Sequence, residues 1–212
     1  MRLELTPEML LQAYRMGVFP MAEDRDDPVL HWFDPVQRGI LPLDGLRLSR
    51  SLRRRIRAAP FHLSLDRAFA QVIAGCAARD STWINAEITA LFTALHGMGH
   101  AHSIEVWDAG ELVGGVYGLA VGGVFCGESM FSRRTDASKI ALAYLVTHLR
   151  ACGFTLFDTQ YLTDHLASLG GVEIPRATYR ARLAQSLGAD ADFHRHCLPS
   201  AQEVVQRNTH RS

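Results

Sequence analysis

Three features of the 212-residue chain predict an α+β fold with a mixed, mainly antiparallel sheet. Apolar residues recur at helical spacing in several segments, which indicates amphipathic helices. Runs rich in Val and aromatic residues are separated by DAGE and GG, which indicates an antiparallel meander. Hydrophobic residues make up 48% of the chain and charged residues 21%, and this composition excludes a wholly disordered protein.

The N-terminal part begins with a predicted helix over residues 7–16, capped by Thr6. The next stretch, residues 18–45, contains four prolines and predicts short extended pieces and turns. The segment LRLSRSLRRRIR (46–57) follows, with six Arg and no acidic residue. This segment is the strongest block of like charge in the chain, and we refer to it as the Arg block.

A domain boundary is predicted near Pro60, because the patterning is more regular after it. It separates a small N-terminal domain (1–60) from a larger domain (61–212). The larger domain is predicted to contain, in order, a strand, two helices, a three-stranded meander, a helix, a strand and a helix, at 61–66, 69–76, 88–95, 103–131, 135–153, 154–160 and 176–187. This order matches the GNAT acyltransferase fold, so we expect the larger domain to be GNAT-like.

Charge and cysteine content narrow the possible functions. The 22 basic and 22 acidic residues cancel, so any binding to nucleic acid requires a local basic patch. The four Cys lie far apart without a CxxC pair, and no secretion signal or membrane-spanning apolar run is found in the sequence. We therefore expect a cytoplasmic protein with free thiols and no membrane partner.

The first candidate site consists of polar residues at the ends of strands that are predicted to be buried. Asp158 and Gln160 are two residues apart, so their side chains are expected on one face, and Glu128 ends another strand. Burial of a carboxylate is unfavourable unless a partner or a ligand compensates. The pattern therefore indicates either a functional site or a structural salt bridge or capping contact.

The second candidate site is the run CGESMFSRRTDASK, which precedes and opens a predicted helix. Free N–H groups at a helix N-terminus can bind an anion, and Arg133, Arg134 and Lys139 would reinforce that binding. Ordinary helix capping by Thr135 or Asp136 is the alternative. The run lacks the glycines of the pyrophosphate loop in acetyl-CoA-dependent GNAT enzymes, so we expect no acyl-CoA.

The Arg block and several aromatic residues are candidates for nucleic-acid contacts. Arg side chains neutralise phosphates independently of sequence, and aromatic rings stack on unpaired bases. The residues concerned are Arg47, Arg50, Arg53, Arg54, Trp32, Phe33, Trp83 and Phe125. A solvated helix face and ordinary core packing are the alternatives for these two groups.

Two histidine clusters do not complete a metal-ligand pattern. His100 and His102 lie two residues apart, and His194, His196 and Cys197 lie together near the C-terminus. We therefore predict no metal site. The nucleophile elbow GxSxG is also absent from the sequence.

Eight segments together resemble the leucyl/phenylalanyl-tRNA-protein transferases. In chain order they are AYRMGVFPM (13–21), HWFDP (31–35), LRLSRSLRR (46–54), TWIN (82–85), LHGMGHAHSIEVW (95–107), ELVGGVYGLAVGGVFCGESMFSR (111–133), ASKIAL (137–142) and FDTQYLTDHLASLGGVEIPR (157–176). The resemblance implies transfer of Leu or Phe, with some Met, from aminoacyl-tRNA to the α-amino group of proteins that begin with Arg or Lys. Such proteins enter N-end-rule degradation. The resemblance implies no cofactor, because the aminoacyl ester is already activated.

The resemblance also implies roles for individual residues. Asp158 and Gln160 match a catalytic Asp-x-Gln motif, and we expect them to orient the amine while ribose hydroxyls or water take its proton. The pocket for the transferred side chain matches Val116, Met130, Leu142, Leu145, Phe157 and Thr159, with Glu128 at its mouth. Trp32, Trp83 and Phe125 match positions near the terminal adenosine, and Arg47, Arg50, Arg53 and Arg54 match a basic surface for the acceptor stem.

The sequence departs from the family pattern at several positions. Met21 stands where the family often has Trp, and Thr159 stands where it often has Cys. Pocket positions also differ at Val116, Leu145 and Phe157, so the preference among Leu, Phe and Met stays open. Two other functional classes stay open as well: an N-acetyltransferase that uses acetyl-CoA, and a noncatalytic RNA-binding protein.

Overall fold

The structure is a computed structural model that describes residues 5–208. Its strands are β1 (Phe19–Met21), β2 (His31–Phe33), β3 (Gln37–Ile40), β4 (His62–Leu65), β5 (Ala101–Asp108), β6 (Glu111–Val121), β7 (Val124–Ser132), β8 (Leu156–Gln160) and β9 (Val172–Pro175). Its helices are α1 (Pro7–Arg15), α2 (Arg50–Arg57), α3 (Phe69–Ala77), α4 (Ala86–Gly97), α5 (Ala137–Ala151), α6 (Asp164–Ser168), α7 (Arg176–Leu187) and α8 (Ala201–Arg207).

Seven strands form one sheet in the order β4-β5-β6-β7-β8-β3-β9. Strands β7 and β8 are parallel, and the other neighbouring pairs are antiparallel. A separate two-stranded sheet joins β1 and β2. The predicted α+β class, with a mixed and mainly antiparallel sheet, is therefore confirmed.

Helix capping follows the sequence in most places. The Thr6 side chain accepts a hydrogen bond from the Met9 N–H at the start of α1, and Asn85 accepts one from the Ile88 N–H at the start of α4. Helix α5 differs from the prediction. Asp136 precedes it in the left-handed region, with φ of +64°, and makes no side-chain capping bond.

Some pairings and elements were not predicted. Strand β3 is one of the short extended pieces expected in residues 18–45, but its place in the main sheet between β8 and β9 was not predicted. Strand β9 and the short helices α6 and α8 were also missed. Strand β3 has only four residues, which is too short to show a clear alternation of apolar and polar residues. Its partners in the sheet are strands that are distant in sequence, so the pairing has no local signal.

Two apolar cores pack against the main sheet. One core includes buried residues of α2, α5 and α8, and the other includes buried residues of α1, α3, α4 and α7. Successive strand residues point to opposite faces, and the neighbours Leu112 and Val113 belong to different cores, so the cores lie on opposite faces. Both contain residues from either side of Pro60, and the boundary there stays a prediction.

Within residues 5–208, no helix combines the length and the apolar character needed to cross a membrane.

Candidate active site

A cavity lies where strands β7 and β8 separate. The two strands pair only over Val124–Cys126 and Leu156–Asp158, although β7 continues to Ser132 and β8 to Gln160. The cavity has a volume of about 620 Å³ and is lined by the unpaired ends of both strands. A split between parallel strands thus opens a pocket inside an otherwise continuous sheet.

Most residues predicted to form the pocket line this cavity. They are Val116, Glu128, Met130, Leu142, Phe157, Thr159 and Gln160, together with Trp83. Leu145 is absent from the cavity lining and is buried in the apolar core, one helical turn after the lining residue Leu142. The prediction that Leu145 contacts the transferred side chain is therefore corrected.

The other three predicted aromatic contacts, Trp32, Phe33 and Phe125, do not line the cavity. Trp32 is 48% exposed on β2, opposite Pro20 of β1. Phe125 is fully buried, and its ring packs against Phe154, Phe157 and Phe193 with centroid distances of 6.2, 5.7 and 5.6 Å. Phe125 has no free face for a base, so the expectation that it stacks near an adenosine is wrong. Its position instead supports Phe157 from behind.

Glu128 projects from a bulge in β7. Opposite the bulge, Tyr117 pairs with Ser129 and Gly118 pairs with Gly127, so Glu128 is the additional residue. A bulge bends a strand and re-aims a side chain. The Glu128 Oε1 accepts hydrogen bonds from the Tyr14 hydroxyl at 2.9 Å and from the Gln160 amide at 3.1 Å.

The protonation of Glu128 is shifted by its surroundings. Burial raises the pKa of this carboxyl to about 8, and the hydrogen bond from Tyr14 and the charge of Arg38 oppose the rise. The negative charge of Asp158 adds to the increase. Glu128 therefore exchanges its proton close to neutral pH, which suits a group that takes part in proton transfer.

Gln160 ends β8 in an unusual backbone conformation. Its φ is +57°, in the left-handed region that costs a residue other than Gly about 1–3 kcal/mol. The Gln160 N–H donates to the Asp158 Oδ1 at 2.9 Å. A Cβ on Gly39 would lie 2.6 Å from the Tyr161 backbone, so only Gly at position 39 lets β3 approach the turn after Gln160.

Asp158 lies beneath the cavity rather than in it. Its carboxylate is 0% exposed and accepts hydrogen bonds from Arg38, from the Tyr179 hydroxyl and from the Gln160 N–H. Gln160 reaches the cavity, whereas Asp158 does not line it. The expectation that both side chains face the amine is therefore corrected, and Asp158 contacts Gln160 through the backbone.

Arg38 is the partner that sequence reasoning missed. This side chain is 1% exposed, donates to the Gly17 carbonyl at 2.9 Å, and lies 4.6 and 4.4 Å from the ring centroids of Phe19 and Tyr179. Burial lowers the pKa of Arg38, but its hydrogen bonds to Asp158 and the charge of Asp158 outweigh that effect and raise it. The guanidinium and the carboxylate form a buried salt bridge, with Nη2 and Oδ2 2.6 Å apart. A lone Arg in a short strand gave no pattern that could have revealed it.

The start of α5 does not resemble an anion-binding site. The Ser132 hydroxyl accepts a hydrogen bond from the Ser138 N–H at 3.2 Å, which satisfies one of the free donors. The carboxylate of Asp136 also lies at this end, 3.3 Å from Lys139. A carboxylate at the helix start repels phosphate. Helix capping therefore explains the polar residues of this run better than anion binding does.

The Arg block forms one exposed surface of α2. Leu52 and Ile56 face the core, whereas Arg50 and Arg54 are exposed and Arg53 is half-buried. Just before the helix, Arg47 donates its N–H to the Leu169 carbonyl at 2.8 Å. Leu169 follows α6, which contributes to the cavity wall. The basic surface therefore adjoins a segment that lines the cavity.

Comparison with known proteins gives consistent matches. Residues 40–184 match the family model described as leucyl/phenylalanyl-tRNA protein transferase, and residues 4–36 match that of its N-terminal domain. A leucyl/phenylalanyl-tRNA-protein transferase from Ruegeria pomeroyi is 60% identical over 210 residues, covering 99% of this chain and 100% of the relative. One from Cereibacter sphaeroides is 57% identical over 209 residues, covering 98% of each. A solved structure of L-PGS from Bacillus licheniformis matches at 14% identity with a TM-score of 0.48, over 85% of this chain and 76% of that chain.

Proposed function

The chain belongs to the leucyl/phenylalanyl-tRNA-protein transferase family, and from this premise we propose that it transfers Leu or Phe, and some Met, from aminoacyl-tRNA to proteins. The acceptor is the α-amino group of a protein that begins with Arg or Lys, and the product is marked for N-end-rule degradation. The observation that carries the proposal is the hydrogen-bonded pair of Glu128 and Gln160 at an apolar cavity. The reaction takes place in the cytoplasm, where charged tRNA is found.

The cavity suits the side chain of the transferred amino acid. Val116, Leu142 and Phe157 are almost fully buried and contribute apolar walls, and Met130 adds a flexible one. Burial of apolar surface stabilises a bound Leu or Phe side chain by about 1.5–3 kcal/mol. We propose that the pocket selects its amino acid by shape rather than by hydrogen bonding.

Gln160 is proposed to orient the attacking amine. Its amide N–H₂ donates to Glu128, which leaves the amide oxygen to accept a hydrogen bond from the amine. A neutral amide is too weak a base to remove a proton, so its contribution is alignment. Asp158 supports this alignment from below, because it holds the Gln160 backbone in the left-handed conformation.

Glu128 is proposed to take the proton that the amine must lose, in place of the ribose hydroxyls or water expected from the sequence. Its pKa of about 8 matches the roughly 7.7–8.0 of an α-ammonium group, so transfer between them is nearly balanced. The freed amine attacks the ester carbonyl and forms the peptide bond. The bond from that carbonyl to the ribose oxygen breaks, and this oxygen leaves as a hydroxyl with the second proton of the nitrogen.

The charges around the cavity suit both substrates. Within residues 5–208, Glu128 is the acidic side chain that lines the cavity, and in its ionised form it favours a cationic first residue in the acceptor. Arg79 and Arg133 also line the cavity and are exposed, so they can contact phosphates of the tRNA end. We propose that the acceptor stem lies along the Arg block and that Trp83 and Trp32 contact its terminal nucleotides.

A transfer assay tests this function. Purified protein is mixed with radiolabelled Leu-tRNA or Phe-tRNA and peptides that begin with Arg, Lys, Ala or Asp. We expect labelled peptide with Arg or Lys first, and much less with Ala or Asp. Acetyl-CoA replaces the tRNA in a parallel reaction, and acetylated peptide there would indicate the acetyltransferase alternative. Binding of tRNA without any transfer would indicate the noncatalytic RNA-binding alternative.

A further inference from the structure

A second cluster of polar side chains lies away from the cavity, where β4, β5 and the segment after α7 meet. Asp66 follows β4, His102 lies in β5, and His194 lies in the C-terminal segment. The Asp66 Oδ2 is 2.7 Å from the His102 Nδ1 and 3.2 Å from the His194 Nε2. The fold thus unites one histidine from each of the two clusters that were incomplete in the sequence.

The ligand atoms of this cluster are held in place. Asp66 has a φ of +55°, and its N–H donates to the Ser103 carbonyl at 3.1 Å. In return, the Ser103 N–H donates to the Asp66 Oδ1 at 2.7 Å, so the Oδ2 is left to face both histidines. The His102 ring stacks on Phe193 with a centroid distance of 4.1 Å, which limits its rotation.

We propose that Asp66, His102 and His194 bind one Zn²⁺ ion. Two imidazoles and one carboxylate are a ligand set that Zn²⁺ accepts. Zinc bonds of about 2.0–2.2 Å at tetrahedral angles set the ligand atoms roughly 3.3–3.5 Å apart. The three ligand atoms already lie within 4.8 Å of one another. The Asp66 Oδ2 is 3.2 Å from the His194 nitrogen and hydrogen-bonded to the His102 nitrogen at 2.7 Å, so binding the ion requires the Asp66–His102 hydrogen bond to open by a fraction of an ångström. The histidines bind as neutral ligands, with the lone pair on the nitrogen that faces Asp66.

A water molecule from solvent would supply the fourth ligand on the exposed side of the site. His102 is 3% exposed and Asp66 is 11% exposed, whereas His194 is 56% exposed and gives access from solvent. The ion would fasten the C-terminal segment to the edge of the sheet. Phe193 of that segment stacks on Phe125, which packs against the cavity residue Phe157, so the ion stabilises the layer behind the cavity.

The test uses full-length, untagged protein that has been treated with a chelator and desalted. Isothermal titration with Zn²⁺ measures the affinity and stoichiometry, and thermal unfolding measures the effect on stability. We expect one Zn²⁺ per chain and a higher Tm. Co²⁺ in place of Zn²⁺ should give the intense visible absorption of a tetrahedral site.

Matched variants on one segment make the test specific. His194→Ala should weaken Zn²⁺ binding by more than about 100-fold. Mutation of residues that only contact a metal ligand already lowers metal affinity by about 10–100-fold, and His194 is itself a proposed ligand. His196→Ala and Cys197→Ser alter exposed neighbours and should bind like the wild type. Circular dichroism checks that each variant is folded.

Three results would overturn the proposal. They are no Zn²⁺ binding by the wild type, wild-type affinity in folded His194→Ala, and an equal loss in His196→Ala. None of these measurements depends on the transfer reaction, so the proposal stands or fails separately from the proposed function.

Discussion

The guanidinium of Arg38 donates two hydrogen bonds to the carboxylate of Asp158, from Nε to Oδ1 at 2.9 Å and from Nη2 to Oδ2 at 2.6 Å. Neither side chain is more than 1% exposed, so water does not compete for these bonds. The same carboxylate accepts a hydrogen bond from the backbone N–H of Gln160, and Gln160 lines the cavity. Arg38 and Asp158 therefore act as positioning residues whose effect on chemistry passes through Gln160.

The buried pair should show strong thermodynamic coupling. Arg38→Leu or Asp158→Leu alone leaves one buried charge without its partner, and each should lower the free energy of unfolding by about 3–5 kcal/mol. The double variant removes both charges and should be more stable than the sum of the single losses predicts. Urea unfolding of all four proteins measures the coupling. Additive losses would show that the two charges do not stabilise each other.

Gln160 can be tested separately from folding. Gln160→Gly removes the amide and also relieves the left-handed backbone, so it should fold at least as stably as the wild type. Its kcat should fall by about 100-fold or more, because the amine is no longer aligned. Gln71→Ala changes an exposed glutamine elsewhere and serves as the control. Wild-type turnover in Gln160→Gly would rule out the aligning role.

Local sequence signals predicted the elements they control and failed where distant segments meet. Thr6 caps its helix as predicted, since a cap involves residues three positions apart. Arg38 and Asp158 are separated by 120 positions, and no period relates them. Likewise, the burial of Phe125 depends on Phe193, which arrives from the C-terminal segment.

Only part of the site could be predicted, because its geometry also depends on contacts between distant segments. The residues that line the cavity lie on segments that resemble a known family, so their identities could be transferred. The separation of β7 from β8 and the bulge at Glu128 are properties of strand pairing, and a one-residue change of register is invisible in a single sequence. The resemblance therefore identified the residues, and the pairing decides which of them reach the cavity.

Glu128 should make stability depend on pH. Its pKa is about 8 in the folded chain and near 4.5 when unfolded, so between these values the folded chain holds a proton that the unfolded chain has lost. The contribution of Glu128 to the free energy of unfolding is fully present below about pH 4.5 and is lost as the pH rises through about 8. The side chain of Glu128→Gln cannot titrate. The free energy of unfolding of this variant, relative to that of the wild type, should therefore increase by more than about 1.4 kcal/mol from pH 5 to pH 9. Parallel stability curves from urea unfolding at several pH values would contradict the raised pKa.

The Arg block should bind tRNA through phosphates. Replacement of Arg50, Arg53 and Arg54 together by Gln should weaken tRNA binding and reduce the slope of log K against log salt by roughly 2–3. Arg182→Gln, on the exposed side of α7, is a control that should leave the slope unchanged. Fluorescence anisotropy at several salt concentrations gives these slopes. An unaltered slope in the triple variant would show that α2 presents only a solvated face.

Val116 should set the size of the pocket. It lies in β6 opposite Met130, is 4% exposed and lines the cavity, so a larger side chain there must project into the space for the transferred residue. Val116→Phe should therefore reduce transfer of Phe more than transfer of Leu, while tRNA binding stays near the wild-type level. Val116→Ala enlarges the pocket and should shift the ratio the other way. Because discrimination between apolar side chains is limited to about 1–3 kcal/mol per methylene, the expected change in the Leu to Phe ratio is roughly 10–200-fold. Competition assays with both charged tRNAs measure this ratio, and urea unfolding checks for overpacking. A wild-type ratio and rate in folded Val116→Phe would show that the transferred side chain does not contact Val116.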